Sequence, residues 1–279
     1  MSDPIILVPL DGSVQALSAL PVAKALSEIE QATLHILHVG EREPEEDQLQ
    51  LRARLAHGTP ILDGLTVHTR VGTPPAQILH VARETKPLVI VMCKHRYASP
   101  GKLLGSTALS VLQDASCPMV LVPPERGTVP WHLHHVLVPH DGTPTTSAAL
   151  RPAAELADRA DAELLVAHVT DVRAAPVEPG SLTAPRYVDQ PQHEWPAWSS
   201  EFLNRLACIC PLGHLHVRIT LARGDPATQI VRLSESQSTD LIVLAWRGRW
   251  AIPHAAIVKD ILRDVRCPIM VVRVESRED

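Results

Sequence analysis

Two short polar segments in the first half of the chain have residue types that bind polar or anionic ligands. Asp11-Gly12-Ser13 follows the first apolar run, so its carboxylate could accept hydrogen bonds from a nucleoside while the glycine permits a tight turn. Gly105 and Ser106 open a later helix-period stretch. Amides at a helix N-terminus attract anions, and a glycine lets a phosphate approach the backbone closely. Both segments also have a structural interpretation, as a turn or a helix cap.

Four basic residues shortly precede the second segment, and they are Lys94, His95, Arg96 and Lys102. They would concentrate positive charge where phosphates would lie. The alternative is a solvated basic loop with no ligand.

Other clusters indicate chemistry less specifically. Several histidines could share a strand face and bind a metal, but they lack a carboxylate or thiol neighbour, so we favour structural roles for them; they are His132, His134, His135, His214 and His216. Tryptophan and arginine alternate in Trp246–Trp250, a pattern that could stack on nucleic-acid bases; packing against the neighbouring domain is the favoured interpretation. The 5 cysteines are scattered, unlike a disulfide framework, a zinc ribbon or a redox motif.

Composition excludes several classes of protein. The chain has 279 residues, a net charge of −5 and 45% apolar residues, so no overall charge attracts it to nucleic acid or to an anionic membrane. It has no apolar run long enough to cross a bilayer, and its first residues do not resemble a signal peptide. We therefore expect a cytoplasmic protein that contacts neither a membrane nor nucleic acid.

The chain also repeats itself. Four blocks of the first half recur in the second half in the same order, which indicates a tandem duplication. The pairs are Ile5–Ser13 with His135–Thr143, Leu34–Val39 with Leu164–Val169, Gly72–Ile78 with Gly224–Ile230, and Val111–Val120 with Ile261–Met270.

The duplication predicts two domains, at residues 1–123 and 132–275, with a linker at 124–131. The second domain is longer because of a segment rich in Pro, Ala and Gln at about 171–198. We predict that this segment is a long loop, docked over the strand ends of the second domain by its two tryptophans, Trp195 and Trp198.

Short runs of Val, Ile and Leu alternate with helix-period stretches in each half. This alternation predicts an α/β fold of two tandem, doubly wound, Rossmann-like domains, each with a five-stranded parallel sheet and helices on both faces. Pro21 and Pro152 should kink or shorten the first helix of each half. The strands predicted for the first half are Ile5–Pro9, Thr33–Val39, Thr66–Val71, Leu88–Met92 and Met119–Val122.

These motifs, in this order, resemble the universal stress protein family, in both halves and over nearly the whole chain. They are a strand ending Val-Pro-x-Asp-Gly-Ser, a strand ending His-Val, a Gly-x-Pro-Ala turn, a loop ending Gly-Ser, and a closing Val-Leu-x-x-Ala-x-Cys-Pro segment. The resemblance implies the adenine nucleotide alpha hydrolase-like version of the Rossmann-like fold. In ATP-binding members of the family, the strand-one Asp and a Val ending strand two hold adenine and ribose. A glycine-rich loop that ends in Gly-Ser wraps the phosphates.

Carried over to this chain, the resemblance assigns those roles to Asp11, Val39, Gly105 and Ser106. Cys93 and Arg96 stand where the family has its first two loop glycines, and their side chains could fill the volume that the phosphates need. Arg96 could instead supply positive charge. The predicted nucleotide-binding residues are Asp11, Val39, Cys93, Arg96, Gly105 and Ser106.

The second half keeps fewer of these residues. Asp141, Val169 and Gly248 match the family pattern, but Ala255 and Ala256 replace the Gly-Ser pair. Without that hydroxyl and glycine, we expect no triphosphate in the second domain.

The resemblance implies a stress-response protein that binds ATP, ADP or AMP in its first domain. No general base, nucleophile or metal cluster in the sequence indicates turnover, so we expect that it is not an enzyme. One alternative is an interaction module that binds no nucleotide and recruits a protein partner; another is a slow ATPase. We also predict an intramolecular pseudo-dimer of the two domains through Met119–Val122 and Ile269–Val272, since an unpaired apolar edge strand promotes aggregation. The whole chain could itself form a homodimer.

Overall fold

The fold is seen in a computed structural model, which describes residues 3–40, 66–94, 104–170, 181, 200–205, 207–208, 214–248 and 254–274. The chain divides into two compact units. Unit 1 is Met1–His132 with Arg266–Arg273, and unit 2 is Leu133–Val265 with Val274–Asp279. The predicted loop at 171–198 lies outside the described residues, apart from Ser181.

Unit 1 is a mostly parallel sheet flanked by helices. Its strand order is β3-β2-β1-β4-β5-β10, and β10 alone runs antiparallel among these described strands. Its elements are β1 (Ile5–Leu10), a 3-10 turn (Ala16–Ser18), α1 (Ala19–Ile29), β2 (Thr33–Gly40), β3 (Thr66–Val71), α2 (Pro74–Thr85), β4 (Val89–Cys93), α3 (Ser106–Asp114), β5 (Met119–Val122), a second 3-10 turn (Pro124–Arg126) and β10 (Ile269–Arg273).

Unit 2 repeats this pattern with the strand order β9-β6-β7-β8, all parallel. Residues 200–205 are also helical. The remaining elements are β6 (His135–His140), α4 (Pro144–Ser147), α5 (Leu150–Arg159), β7 (Glu163–Thr170), β8 (Val217–Arg223), α6 (Pro226–Ser236), β9 (Leu241–Trp246) and α7 (His254–Asp264). The α/β class, the tandem repeat and the parallel order of the first five strands agree with the sequence prediction.

Each unit has a switch point beside its first strand. Strand β1 lies between β2 and β4, so the chain leaves it to one side of the sheet and later returns to the other. Strand β6 has the same place between β7 and β9. In doubly wound sheets, the carboxyl ends of the strands at such a point form a crevice. This crevice is where the predicted polar residues lie.

The prolines shorten the first long helix of each unit, as predicted. Pro21 is the third residue of α1 and Pro152 is the third residue of α5. The first four N–H groups of a helix have no intrahelical acceptor, so a residue without an N–H costs least there. Both helices therefore begin two residues before their proline.

The last strand of the chain completes the sheet of unit 1. Ile269 is opposite Leu121, and Val271 is opposite Met119, in an antiparallel ladder. The pairing predicted for Met119–Val122 and Ile269–Val272 is therefore present, and it covers the buried edge of β5. No helix among the described residues is long and apolar enough to cross a membrane.

Candidate functional site

A cavity of about 310 Å³ opens in unit 1 at the carboxyl ends of β1, β2 and β4. Apolar side chains from strands and from α2 form much of its wall, among them Leu37, Val39, Ile78 and Met92. Asp11 and the first residues of α3 contribute polar groups. An apolar wall with a few convergent polar groups is typical of a small-molecule site.

Five of the six predicted site residues line this cavity together, and they are Asp11, Val39, Cys93, Gly105 and Ser106. The sixth, Arg96, lies outside the described residues.

The N-terminus of α3 faces the cavity behind a glycine N-cap. Because Gly105 has no side chain, the N-cap position itself gives the first amides of the helix no side-chain acceptor. The first intrahelical bond runs from the Leu109 N–H to the Gly105 carbonyl at 2.9 Å. Ser106 is already helical, so it does not cap the helix, and the amides of the first turn precede that first bond. Gly105, Ser106, Thr107 and Ala108 all line the cavity, which gives this wall the partial positive charge of a helix N-terminus.

The loop after β1 orders itself by local hydrogen bonds. Oδ1 of Asp11 accepts from the Ser13 N–H at 2.9 Å, and the Ser13 hydroxyl accepts from the Ala16 N–H at 3.1 Å. Gly12 has a φ of 78° in the left-handed region, where a side chain would be strained. Ser13 therefore has the structural, capping role, whereas Asp11 is exposed and borders the cavity.

Cys93 ends β4 as a buried part of the cavity lining. Burial raises the pKa of its thiol to about 11, and the nearby carboxylates of Asp11 and Glu125 act in the same direction. The group is therefore a neutral thiol at physiological pH, without the thiolate character of a reactive cysteine. It contributes a small apolar surface to the cavity.

Lys94 fits neither interpretation of the basic cluster, which were positive charge facing a phosphate and a solvated loop. Its side chain is 1% exposed, which excludes a solvated loop position. It does not line the cavity, and its backbone N–H donates to the Val122 carbonyl at 2.8 Å. The other members of the cluster, His95, Arg96 and Lys102, lie outside the described residues.

The equivalent crevice of unit 2 is smaller, at about 80 Å³. Asp141 and Val169 line it, as their counterparts do in unit 1. Oδ1 of Asp141 accepts from the Thr143 N–H at 2.9 Å and from the Thr146 hydroxyl at 2.7 Å. This carboxylate oxygen is therefore used to fold the loop.

Helix α7 begins earlier than its counterpart α3. It starts at His254, so Ala255 and Ala256 are already in its first turn. Gly105 and Ser106, their matches in unit 1, are the N-cap and the first residue of α3. Ala255 and Ala256 therefore lie inside the helix at the place where unit 1 has a glycine N-cap and a serine, and alanine favours the helical conformation more than glycine does.

Sequence reasoning missed a buried histidine at this crevice. Nδ1 of His140 accepts from the Gly142 N–H at 2.9 Å, so Nε2 carries the proton and donates to the Ser147 hydroxyl at 3.0 Å. The ring meets Phe202 edge to face, with centroids 4.8 Å apart. Burial lowers the pKa of His140 to about 4, which keeps it neutral. A signal was present in the repeat, since Leu10 occupies this position in the first half.

Sequence reasoning also missed the role of two equivalent histidines, one in each unit. Nδ1 of His168 donates to the His140 carbonyl at 2.9 Å, and Nδ1 of His38 makes the matching bond to Leu10 at 2.8 Å. These imidazoles hold the ends of the first two strands together.

Other clusters from the sequence have structural contacts. The backbone amides of His134 and His135 donate to Asp240 at 2.8 and 2.9 Å. Arg247 donates to the Thr145 hydroxyl inside unit 2, and Trp246 is buried at the end of β9, so this indole is not available for stacking on bases. In the part of the chain that the structure describes, no group of three or more His, Cys, Asp or Glu side chains could hold a metal.

Comparisons with known proteins agree with this fold. Universal stress protein Rv2623 of Mycobacterium tuberculosis is 27% identical over 234 residues, which cover 80% of this chain and 72% of that protein. A functionally unknown protein, PA1789, from Pseudomonas aeruginosa has a similar solved structure, with a TM-score of 0.67 at 17% identity over 98% of this chain and 93% of its own. A universal stress protein from Archaeoglobus fulgidus has a TM-score of 0.62 at 18% identity, over 98% and 97% of the two chains.

The model of the universal stress protein family matches the chain twice, at residues 4–123 and 132–273. Together the two matches cover both halves of the internal repeat. The chain therefore belongs to the universal stress protein family and contains two of its domains in tandem.

Proposed function

We propose that the first domain binds an adenine nucleotide and that the second domain binds none. The observation that carries this proposal is the N-terminus of α3 behind its glycine N-cap, which faces the cavity of unit 1 together with Asp11. A helix N-terminus with a glycine at its N-cap is a favourable place for phosphate oxygens. The apolar wall across the cavity has the character that a purine ring needs.

The side chains of unit 1 have the chemical character that each part of a nucleotide requires. Ser106 offers an amide and a hydroxyl to phosphate oxygens, and Gly105 has no side chain to hold them away. Asp11 is an exposed acceptor for hydroxyl or amino groups of the nucleoside. Val39 and Ile78 supply apolar surface for the base. Cys93 adds a neutral side chain to the wall and leaves a cavity of about 310 Å³.

Unit 2 supports the opposite proposal for its own crevice. Its volume is about 80 Å³, and Ala256 stands where unit 1 has the Ser106 hydroxyl. Oδ1 of Asp141 accepts from the Thr146 hydroxyl in addition to the loop amide bond that both aspartates make. We therefore assign this half a structural role.

We further propose that the nucleotide is bound as a signal and is not turned over. Asp11 is the one carboxylate among the described residues that line the cavity, and its Oδ1 accepts from the Ser13 amide. The Cys93 thiol is held neutral by burial. ADP formation from ATP, followed at saturating protein, tests this part; steady release of ADP would favour the slow ATPase.

Calorimetric titration of the full chain with ATP, ADP and AMP tests the binding. Ser106→Ala removes one hydrogen bond to a charged group, so the affinity should fall by about 10- to 100-fold. Gly105→Val should abolish binding, because the added side chain occupies the space that a phosphate needs.

Ala255→Val is the matched control in unit 2, and its titration should equal that of the wild type. If the wild type binds none of the three nucleotides at millimolar concentration, the proposal is wrong and the interaction module without nucleotide is favoured.

A further inference from the structure

Two histidines on neighbouring strands of unit 1 lie in direct contact. His35 is on β2 and His68 is on β3. Nε2 of His68 is 3.0 Å from Nδ1 of His35. The ring centroids are 5.0 Å apart and the planes are tilted by 35°. Neither residue lines the cavity, so the pair is separate from the proposed nucleotide site.

The strand register produces this contact. His35 is opposite Thr66 and His68 is opposite Leu37, so each histidine lies two residues from the partner of the other. Residues two apart on a strand share a face of the sheet, and such diagonal neighbours are within reach of long or aromatic side chains. The matching positions of unit 2 are Leu165 on β7 and Thr220 on β8. Unit 2 therefore has no equivalent pair.

Each ring of the pair can direct a nitrogen lone pair toward the space between the two rings. A hydrogen bond between neutral imidazoles uses an N–H on one ring and a lone pair on the other. When the donor ring moves its proton to its other nitrogen, both lone pairs face the same space. The change of tautomer releases no net proton, so a cation can replace the bridging hydrogen without charging either ring.

The distance between the nitrogens distinguishes metal geometries. With metal–nitrogen bonds of about 2.0–2.1 Å, two imidazoles are about 2.9 Å apart at a right angle and about 3.4 Å apart at a tetrahedral angle. The observed 3.0 Å is the normal length of the hydrogen bond between the rings, and it is also within about 0.1 Å of the right-angle value, so right-angle coordination needs little change in the separation of the nitrogens. Square-planar or tetragonal coordination by nitrogen and oxygen ligands is typical of Cu²⁺ and Ni²⁺.

We propose that His35 and His68 form a two-histidine site for Cu²⁺ or Ni²⁺, with water in the other positions. Both side chains are partly exposed and β3 is the outermost strand of unit 1, so solvent reaches the pair.

The local charges set the strength of the site. Burial lowers the pKa of both imidazoles, and Arg70 acts in the same direction on the pKa of His68. The neutral, ligating form is thus favoured at pH 7.5. The exposed Arg70, which donates to the Thr69 carbonyl at 3.2 Å, opposes a divalent cation. We therefore expect moderate affinity from two protein ligands.

Titration of the untagged full chain with NiCl₂ at pH 7.5, followed by calorimetry, tests the site. His68→Thr gives unit 1 the residue that unit 2 has, and it should weaken the tightest site by at least about tenfold, since loss of a direct ligand costs no less than loss of its outer-shell partner. His80→Gln is the matched control, because His80 is an exposed histidine on α2 that contacts Glu84. Its isotherm should equal that of the wild type.

Electron paramagnetic resonance of the Cu²⁺-loaded protein gives an independent measurement. The wild type should show hyperfine coupling to two equatorial nitrogens, and both His68→Thr and His35→Gln should show one. Circular dichroism establishes that each variant is folded, and one folded variant is sufficient. Equal isotherms and equal spectra for the wild type and a folded variant would overturn the site. Gly105→Val should keep the metal, which separates this result from that for the nucleotide.

Discussion

The same Asp-Gly turn follows the first strand of both units, and in both its aspartate accepts from the amide two residues later at 2.9 Å, yet the remaining surroundings of the carboxylate differ. In unit 1, Asp11 is exposed at the border of a cavity of about 310 Å³. In unit 2, Asp141 accepts from the Thr146 hydroxyl at 2.7 Å, next to a cavity of about 80 Å³. A duplicated fold can thus keep its backbone plan while one copy redirects its polar groups to its own loops.

The helices that follow the fourth strands show the same divergence. Helix α3 begins at Ser106 behind an N-cap glycine, whereas α7 begins at His254 and contains both replacement alanines. The added residues move the set of N–H groups without an intrahelical acceptor toward the start of α7. At this place unit 2 therefore lacks the glycine N-cap and the serine hydroxyl of unit 1, while the strand order around the crevice is the same in both units.

The largest effect on stability that distinguishes the units should come from His140, which replaces the Leu10 of unit 1. Its folded pKa is about 4, below the ordinary value of 6.5. The unfolded chain therefore binds a proton first as the pH falls. The contribution of the neutral imidazole is complete above pH 6.5 and is lost between about 6.5 and 4. The loss is about 3 kcal/mol of the free energy of unfolding.

Urea unfolding of the wild type and of His140→Leu across this pH range measures that loss. At pH 7 the variant should be less stable by about 1–3 kcal/mol, since the buried Gly142 N–H loses its acceptor. The difference should shrink or reverse toward pH 4, because leucine does not titrate. Parallel stability curves for the two proteins would show that His140 is not held neutral.

Alanine substitutions at the two aspartates should distinguish an effect on nucleotide binding from an effect on stability. Asp141→Ala removes the acceptor of Thr143 and Thr146 and should lower the free energy of unfolding by about 1–3 kcal/mol, with no change in nucleotide titrations. Asp11→Ala should reduce nucleotide affinity by about tenfold and change stability less, because Asp11 is exposed. Urea unfolding and calorimetry on both variants make the comparison. A stability loss as large for Asp11→Ala as for Asp141→Ala would mean that both carboxylates are structural.

The sequence was sufficient to predict the elements that depend on local patterns. Apolar runs placed the strands of the first half, and the prolines at positions 21 and 152 indicated that the first helix of each half would be kinked or shortened, because a missing N–H is a local constraint. Asp11 and Ser106 could be proposed from their residue types and places, whereas Val39 was assigned from the family resemblance; the three line one cavity because the carboxyl ends of strands beside a switch point form a crevice.

The sequence was not sufficient where the role of a residue depends on contacts with residues far away in the chain. His140 depends on Ser147 and Phe202, and the contact of His35 with His68 depends on strand register. The role of Lys94 was also misjudged, because its burial beside β5 is set by tertiary packing. A basic residue in a loop sequence indicates positive charge, but the sequence does not show whether that charge faces solvent or a ligand.

The smallest effect expected comes from the C-terminal ends of the same two helices. Nη1 of Arg273 donates to the Gln113 carbonyl at 2.9 Å and to the Ala115 carbonyl at 3.3 Å, at the end of α3. A cation at a helix C-terminus stabilises the last carbonyls, so Arg273→Ala should lower the free energy of unfolding by about 0.5–1 kcal/mol.

An arginine in the last turn of α7 provides the control. Arg263 is exposed and pairs with Asp260 and Asp264 of its own helix, at 2.8 Å each, and such surface pairs contribute little. Arg263→Ala should therefore change thermal stability less than Arg273→Ala does. Nucleotide affinity should be unchanged in both variants, since neither side chain reaches the cavity. An equal loss of stability in the two variants would mean that the contact of β10 with α3 adds nothing beyond a surface ion pair.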